Sequence, residues 1–208
     1  MEAVIFDADG TLFDSRALIL SLYAQVAAEH GLTPATNEEI LGHMGKPLRD
    51  IFYGLWPAEN PDVLVQTNNR LLLADKAGAV AFAGLPELLE GLAARGVRMG
   101  VVTGGSARVH DVLARHGIDQ YFGSVVHSDR DVRQKPHPDG VLLALNELGV
   151  SPADAAMVGD MRYDILAGKN AGVGLTVGLT HGFGSRQELL EAGADHVVDS
   201  LAAAAELL

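Results

Sequence analysis

The chain has 208 residues, 48% of them hydrophobic, which is enough to bury a core without disulfides or metal staples. Its 27 acidic residues outnumber 15 basic ones for a net charge of −12, which repels a nucleic-acid backbone and excludes nucleic-acid binding as the main task. The absence of cysteine excludes disulfide frameworks, thiolate zinc sites and cysteine nucleophiles, and no apolar run approaches the roughly 20 residues of a membrane span.

The chain opens MEAVIFDADG, with no basic segment ahead of its short apolar run, so no signal peptide is expected and a cytoplasmic location is the default. Ala3 to Phe6 predicts the first strand. From about Asp14 to Ala83 the pattern predicts no strand. Leu18, Leu22 and Val26 recur at helical spacing, Thr36 with Glu39 reads as a capping box, and Val63 to Asp75 reads as a further helix. A structureless loop of about 70 residues is rare, so this stretch predicts an inserted helical subdomain. After it, helical and strand patterns alternate. Leu85, Leu88, Leu89 and Leu92 share one helix face, and Val97 to Thr103 predicts a strand. Further strands are expected at Ser124 to His127, Ala155 to Val158, Gly174 to Val177 and His196 to Val198. Between them, Val141, Leu142, Leu145 and Leu148 form a helical stripe, Ser151-Pro152 reads as a helix start, and Ser185 with Glu188 as a second capping box. Strands apolar on both faces, alternating with helices, indicate a parallel α/β sheet covered on both sides.

The first strand runs into Asp7-Ala8-Asp9-Gly10-Thr11. In such a sheet, ligands bind beyond the C-terminal strand ends. Two carboxylates one residue apart there repel each other, and a divalent cation is the simplest compensation. Gly10 and Thr11 supply a turn whose amides can hold a phosphate. A solvated acidic turn is the other reading, and these residues alone leave both open. Gly42 to Asp50 (GHMGKPLRD) lacks the spacing of a phosphate-binding loop, and no strand precedes it. Gly172, Gly174 and Gly178 span a strand and are no dinucleotide fingerprint, the histidines show no paired metal-ligand spacing, and Trp56 reads as packing.

Four motifs in chain order resemble the haloacid dehalogenase superfamily in its phosphatase branch: Asp7 to Thr11, Val101-Val102-Thr103-Gly104-Gly105, Lys135-Pro136-His137-Pro138-Asp139, and Val158-Gly159-Asp160-Met161-Arg162-Tyr163-Asp164. The resemblance covers almost the whole chain. It implies a Rossmann-like α/β parallel-sheet core, residues 1–13 and 84–208, with an inserted all-α cap, residues 14–83. It implies Asp7 as the nucleophile, giving an aspartyl phosphate, and Asp9 as general acid and then base, on the same face two residues along. Thr103 and the Gly104 amide would clamp the phosphoryl group, and Lys135 would offset the gathered negative charge. The family often has asparagine at position 104, so a backbone contact survives in this chain and a side-chain contact does not. Asp7, the Asp9 carbonyl and Asp160 would complete an all-oxygen Mg²⁺ site. Asp164 is expected just outside it, acting through water or towards Lys135, or simply as a helix N-terminal acid.

Cap size, cap position and the stretch Thr180-His181-Gly182-Phe183-Gly184-Ser185 resemble the phosphoglycolate phosphatase-like branch. That implies a small phosphorylated metabolite as substrate, Lys46 or Arg49 meeting its non-reacting end, and no nucleic-acid or membrane partner. A monomer or homodimer is expected. Asp14-Ser15 and Phe82-Ala83-Gly84 are the expected hinges of the cap. The alternatives are a phosphosugar mutase of the same branch and a non-catalytic regulatory protein on this scaffold.

Overall fold

The structure is a computed structural model and describes residues 1–74 and 78–208. In chain order, β1 (Ala3–Phe6) and β2 (Phe13–Asp14) precede four helices, α1 (Arg16–Glu29), α2 (Asn37–His43), α3 (Leu48–Leu55) and α4 (Pro61–Ala74). Then follow β3 (Val80–Ala81), α5 (Leu85–Ala94), β4 (Arg98–Val102), α6 (Val109–Arg115), β5 (Phe122–Val126), α7 (Asp139–Leu148), β6 (Ala155–Gly159) and α8 (Arg162–Ala171). The chain ends with β7 (Leu175–Leu179), α9 (Arg186–Glu191), β8 (His196–Val198) and α10 (Leu201–Ala205). It divides into two compact units, Met1–Asp14 with Val80–Leu208, and Ser15–Ala79.

The larger unit holds a six-stranded sheet of order β5-β4-β1-β6-β7-β8, every pair parallel. The central strand β1 is Ala-Val-Ile-Phe, buried along its length, which is what coverage on both faces demands. Val141, Ala144, Leu145 and Leu148 of α7 pack with Ile5, Val102 and Met157 of the sheet. Leu142, expected in that stripe, is exposed, and Ala144 takes the place: four residues before Leu148 lies on the buried face, and one after Val141 does not. Ser151-Pro152 starts only a single 3₁₀ turn, Pro152–Asp154, and the Ser151 side chain makes no cap bond there. The Ser185–Glu188 capping box forms.

One expectation fails in this unit. The stretch from Asp14 to Ala83 does contain strand: β3 pairs antiparallel with β2, Phe13 opposite Ala81 and Asp14 opposite Val80. Strands of two residues are too short to show a period-2 pattern, so no local signal marks them. The Phe82 amide extends the ribbon by donating to the Leu12 carbonyl at 3.0 Å.

The smaller unit is an inserted cap that is helical among the described residues and has a core of its own. Leu22, Tyr23, Val26, Ile40, Phe52, Trp56 and Leu64 pack together. Trp56 is a packing residue whose indole N–H donates to the Thr33 carbonyl at 2.9 Å. Thr36 and Glu39 form the expected capping box at the start of α2. The helix read from Val63 to Asp75 is α4. Its expected last residue, Asp75, lies outside the described residues. Among the described residues, no helix is long and apolar enough to cross a membrane.

Candidate active site

The site grows out of strand pairing. Because Phe6 lies opposite Val158, β1 and β6 end side by side, and the residues that follow, Asp7 and Asp160, meet there. The Asp7 amide donates to the Val158 carbonyl at 2.9 Å, which continues the ladder one step and fixes where the carboxylate leaves the sheet. Gly10, at φ +87°, makes the turn behind Asp9. That is a left-handed conformation that L side chains resist. A Cβ there would also lie 2.7 Å from the Phe183 ring.

Asp164 is in the first turn of α8. One of its oxygens accepts from the Met161 amide at 2.9 Å, as an acid at a helix start does, and the other accepts from Lys135 at 2.6 Å. The Lys135 ammonium also donates to Asp7 Oδ1 at 2.5 Å and to the Val102 carbonyl at 3.0 Å. Its three N–H donors thus have three acceptors, drawn from the ends of β1 and β4 and the start of α8. Asp160 is fully buried. Its two oxygens accept from the Thr11 hydroxyl at 2.8 Å and the Phe183 amide at 2.7 Å.

Asp7, Asp160 and Asp164 each offer a carboxylate oxygen, all within 4.8 Å of one another, in an arrangement able to hold a metal ion. The charges do not balance, because three buried carboxylates share one ammonium. Burial raises the Asp7 pKa well above the ordinary range, Lys135 opposes this, and Asp164 and Asp160 add to it. Burial, reinforced by Asp164, pushes Asp160 up to about 7 against the Phe183 and Thr11 hydrogen bonds. Burial alone would lower Lys135, but Asp164 and Asp7 outweigh it and hold the ammonium charged. Burial is thus the first cause at both acids, and the neighbouring carboxylates add to it. Three carboxylates against one ammonium, all oxygen donors, fit a hard divalent cation, which would offset the remaining negative charge.

Thr103 sits at the end of β4. Its amide donates to the Val126 carbonyl at 2.9 Å, and its hydroxyl accepts from the Gly105 amide at 3.0 Å. A Cβ on Gly105 would lie 3.3 Å from that hydroxyl and 3.5 Å from Asp9 Oδ2, so the half-buried Asp9 carboxylate borders the Thr103–Gly105 turn. Gly104 borders Gln134, the residue before Lys135, whose Oε1 would be 3.9 Å from a Cβ there. Residues Asp7, Lys135, Asp160 and Asp164 are therefore in mutual contact or close to it, with Thr103, Gly105 and Asp9 forming an adjoining group.

Lys46 and Arg49 belong to the helical unit, where both are exposed. Lys46 Nζ lies 3.1 Å from His43 Nδ1, and Arg49 pairs with Asp62 at 2.8 Å. The sequence pattern did not expose the partners of Asp160. In the sequence, Thr11 stands out only as part of a phosphate-holding turn, and Phe183 only within the stretch Thr180 to Ser185.

The comparisons agree with this geometry. The family described as haloacid dehalogenase-like hydrolase matches residues 4–177. The pyrophosphatase PpaX of Bacillus velezensis is 34% identical over 176 residues, covering 82% of this chain and 79% of that protein. A haloacid dehalogenase-like family hydrolase from Streptococcus pneumoniae superposes with a TM-score of 0.90 at 25% identity, covering 100% of this chain and 98% of the other. A protein described as a predicted phosphoglycolate phosphatase from Haemophilus somnus gives a TM-score of 0.89 at 22% identity, over 100% and 97% of the two chains, a likeness of fold alone.

Proposed function

The chain belongs to the haloacid dehalogenase-like hydrolases, and from that premise we propose that it is a Mg²⁺-dependent phosphatase of a small phosphorylated metabolite. The observation that carries this reading is the surplus of buried carboxylate around Lys135, which bonds Asp7 at 2.5 Å and Asp164 at 2.6 Å with Asp160 in the same cluster. A structural ion pair needs one carboxylate. Three make sense where a cation and a phosphoryl group come and go.

Asp7 and Asp160, with the Asp9 carbonyl, would hold the ion, and Asp164 sits where it can serve either the ion or Lys135. When bound, Mg²⁺ supplies positive charge that keeps Asp7 ionised and neutralises the phosphoryl oxygens. An Asp7 oxygen then bonds to phosphorus as the bond to the leaving oxygen breaks, and Asp9 gives that oxygen its proton. Water next attacks the phosphorus of the aspartyl phosphate, and Asp9 takes its proton. Inorganic phosphate departs and Asp7 is regenerated. The Thr103 hydroxyl and Gly104 amide donate to the equatorial oxygens, and Lys135 holds Asp7 in place while offsetting charge.

The substrate is a small anion with a second polar end, as in phosphoglycolate. The relative from Bacillus velezensis bears the name of a pyrophosphatase, which favours inorganic pyrophosphate as a second candidate of the same kind. Lys46 and Arg49 are the cationic side chains assigned to that second end. The test is release of inorganic phosphate from a panel holding phosphoglycolate, pyrophosphate, hexose phosphates and an aryl phosphate, with Mg²⁺ and with chelator. Release that needs Mg²⁺ is expected. Release undiminished by chelator, or none from any substrate, overturns the reading.

A further inference from the structure

Two contacts hold the His181 ring in place, and neither involves the reacting atoms. His181 follows β7, two residues past Leu179. Its Nε2 lies 3.1 Å from the Thr11 carbonyl. A carbonyl only accepts, so Nε2 carries the hydrogen. The same ring stacks on Phe82, with centroids 3.9 Å apart and planes 18° from parallel. Phe82 is itself tied to the stretch after Asp9 through its amide bond to the Leu12 carbonyl. The imidazole thus joins the stretch after Asp9, the residue just past β3, and the segment after β7.

That last segment is what holds Asp160. The Phe183 amide donates to one Asp160 oxygen at 2.7 Å, and the Thr11 hydroxyl donates to the other at 2.8 Å. The fit leaves no slack. A Cβ on Gly182 would collide with the Asp160 carboxylate, and one on Gly184 with its backbone carbonyl. His181 precedes Gly182 and bonds to the carbonyl of Thr11, so the two donors that orient Asp160 are both anchored by one side chain. We infer that His181 is a positioning residue for Asp160: it locks the Thr11 turn and the Gly182–Gly184 segment together, and so sets how the Asp160 carboxylate is presented to a divalent cation. The inference rests on the reading of Asp160 as a metal ligand. Groups that orient a ligand from behind typically contribute about 10–100-fold to metal affinity.

Three variants separate the links. His181→Phe keeps the stack and loses the N–H donor, His181→Asn keeps a donor and loses the ring, and His181→Ala loses both. Mg²⁺ is titrated into each intact protein while the backbone amide spectrum is recorded, with Phe183 as the reporter beside Asp160. The Mg²⁺ concentration for half-maximal phosphate release is measured in parallel. The expected result is a Mg²⁺ dissociation constant weakened about tenfold or more in His181→Ala. His181→Phe and His181→Asn fall between it and wild type, and turnover at saturating Mg²⁺ recovers most of its wild-type value. If His181→Ala is unfolded, the two larger side chains carry the comparison. Wild-type binding of Mg²⁺ with unchanged affinity in all folded variants overturns the role of His181 alone. Absence of any Mg²⁺ response in the wild type overturns the metal reading, and the inference with it.

Discussion

Two lysine–aspartate pairs sit at opposite ends of one sheet with nearly the same geometry and opposite electrostatics. At the N-terminal ends of β7 and β8, Lys169 meets Asp195 at 2.6 Å, and Asp195 also accepts from the Thr176 amide and hydroxyl at 2.8 and 2.7 Å. Partial burial of this carboxyl acts to raise its pKa, but Lys169 and Thr176 outweigh that and hold it down at about 2. At the C-terminal ends, Lys135 meets Asp7 at 2.5 Å and Asp164 at 2.6 Å, and there burial drives Asp7 upward. The Lys169 pair is more than a third exposed, whereas the Lys135 cluster is almost closed to water. A matched, partly solvated pair fastens α8 to the start of β8. A buried cluster in which three carboxylates share one ammonium is an arrangement able to hold a divalent cation.

The largest expected effect comes from the nucleophile. Asp7→Asn should lower turnover by about three orders of magnitude or more, measured as phosphate release. Calorimetry should show a melting temperature no lower than wild type, because one carboxylate of the surplus is gone. Next, Lys135→Ala leaves three buried carboxylates with no cation and should cost about 3–5 kcal/mol in urea unfolding. Lys169→Ala, in the partly exposed pair, should cost about 1 kcal/mol or less. Equal losses at the two lysines would break the comparison.

Much of this was legible along the chain, because a parallel sheet with two covered faces writes apolar runs that local reading can find. Ala3–Phe6 and His196–Val198 coincide with their strands end for end, and the other four expected strands overlap theirs. The acids and the lysine stood out because each follows a strand or lies in a short proline-bounded loop. What stayed hidden depends on distant partners. The β2–β3 ribbon exists only because residues 13 and 81 meet. Likewise, no local pattern in Thr180 to Ser185 announces that the Phe183 amide bonds Asp160, or that His181 stacks on Phe82. On α7, helical angle outweighs residue size: the small Ala144 is buried and the larger Leu142 is exposed.

Acid sharpens the contrast further. Asp195 has a folded pKa of about 2 against an ordinary 3.8. Depression of a carboxyl pKa on folding contributes stability above the unfolded value that is lost as pH falls through the folded one. Between pH of about 4 and about 2 the wild type should lose on the order of 1 kcal/mol from this group, given its partial exposure. Asp195→Asn should show a shallower acid limb in thermal melts over that range. The smallest effect belongs to the helical unit. Arg49→Ala and Lys46→Ala should lower kcat/KM for the natural substrate several-fold while leaving an aryl phosphate nearly unchanged. Equal losses on both substrates would count against a role in specificity.

On the proposed function, Asp7 takes the phosphoryl group. The direct measurement is an acid quench of the enzyme turning over its substrate with Mg²⁺, followed by peptide mass spectrometry. The phosphate should be found on Asp7, and it should vanish with chelator and in Asp7→Asn. Phosphate on any other residue, or labelling undiminished by chelator, would contradict the account.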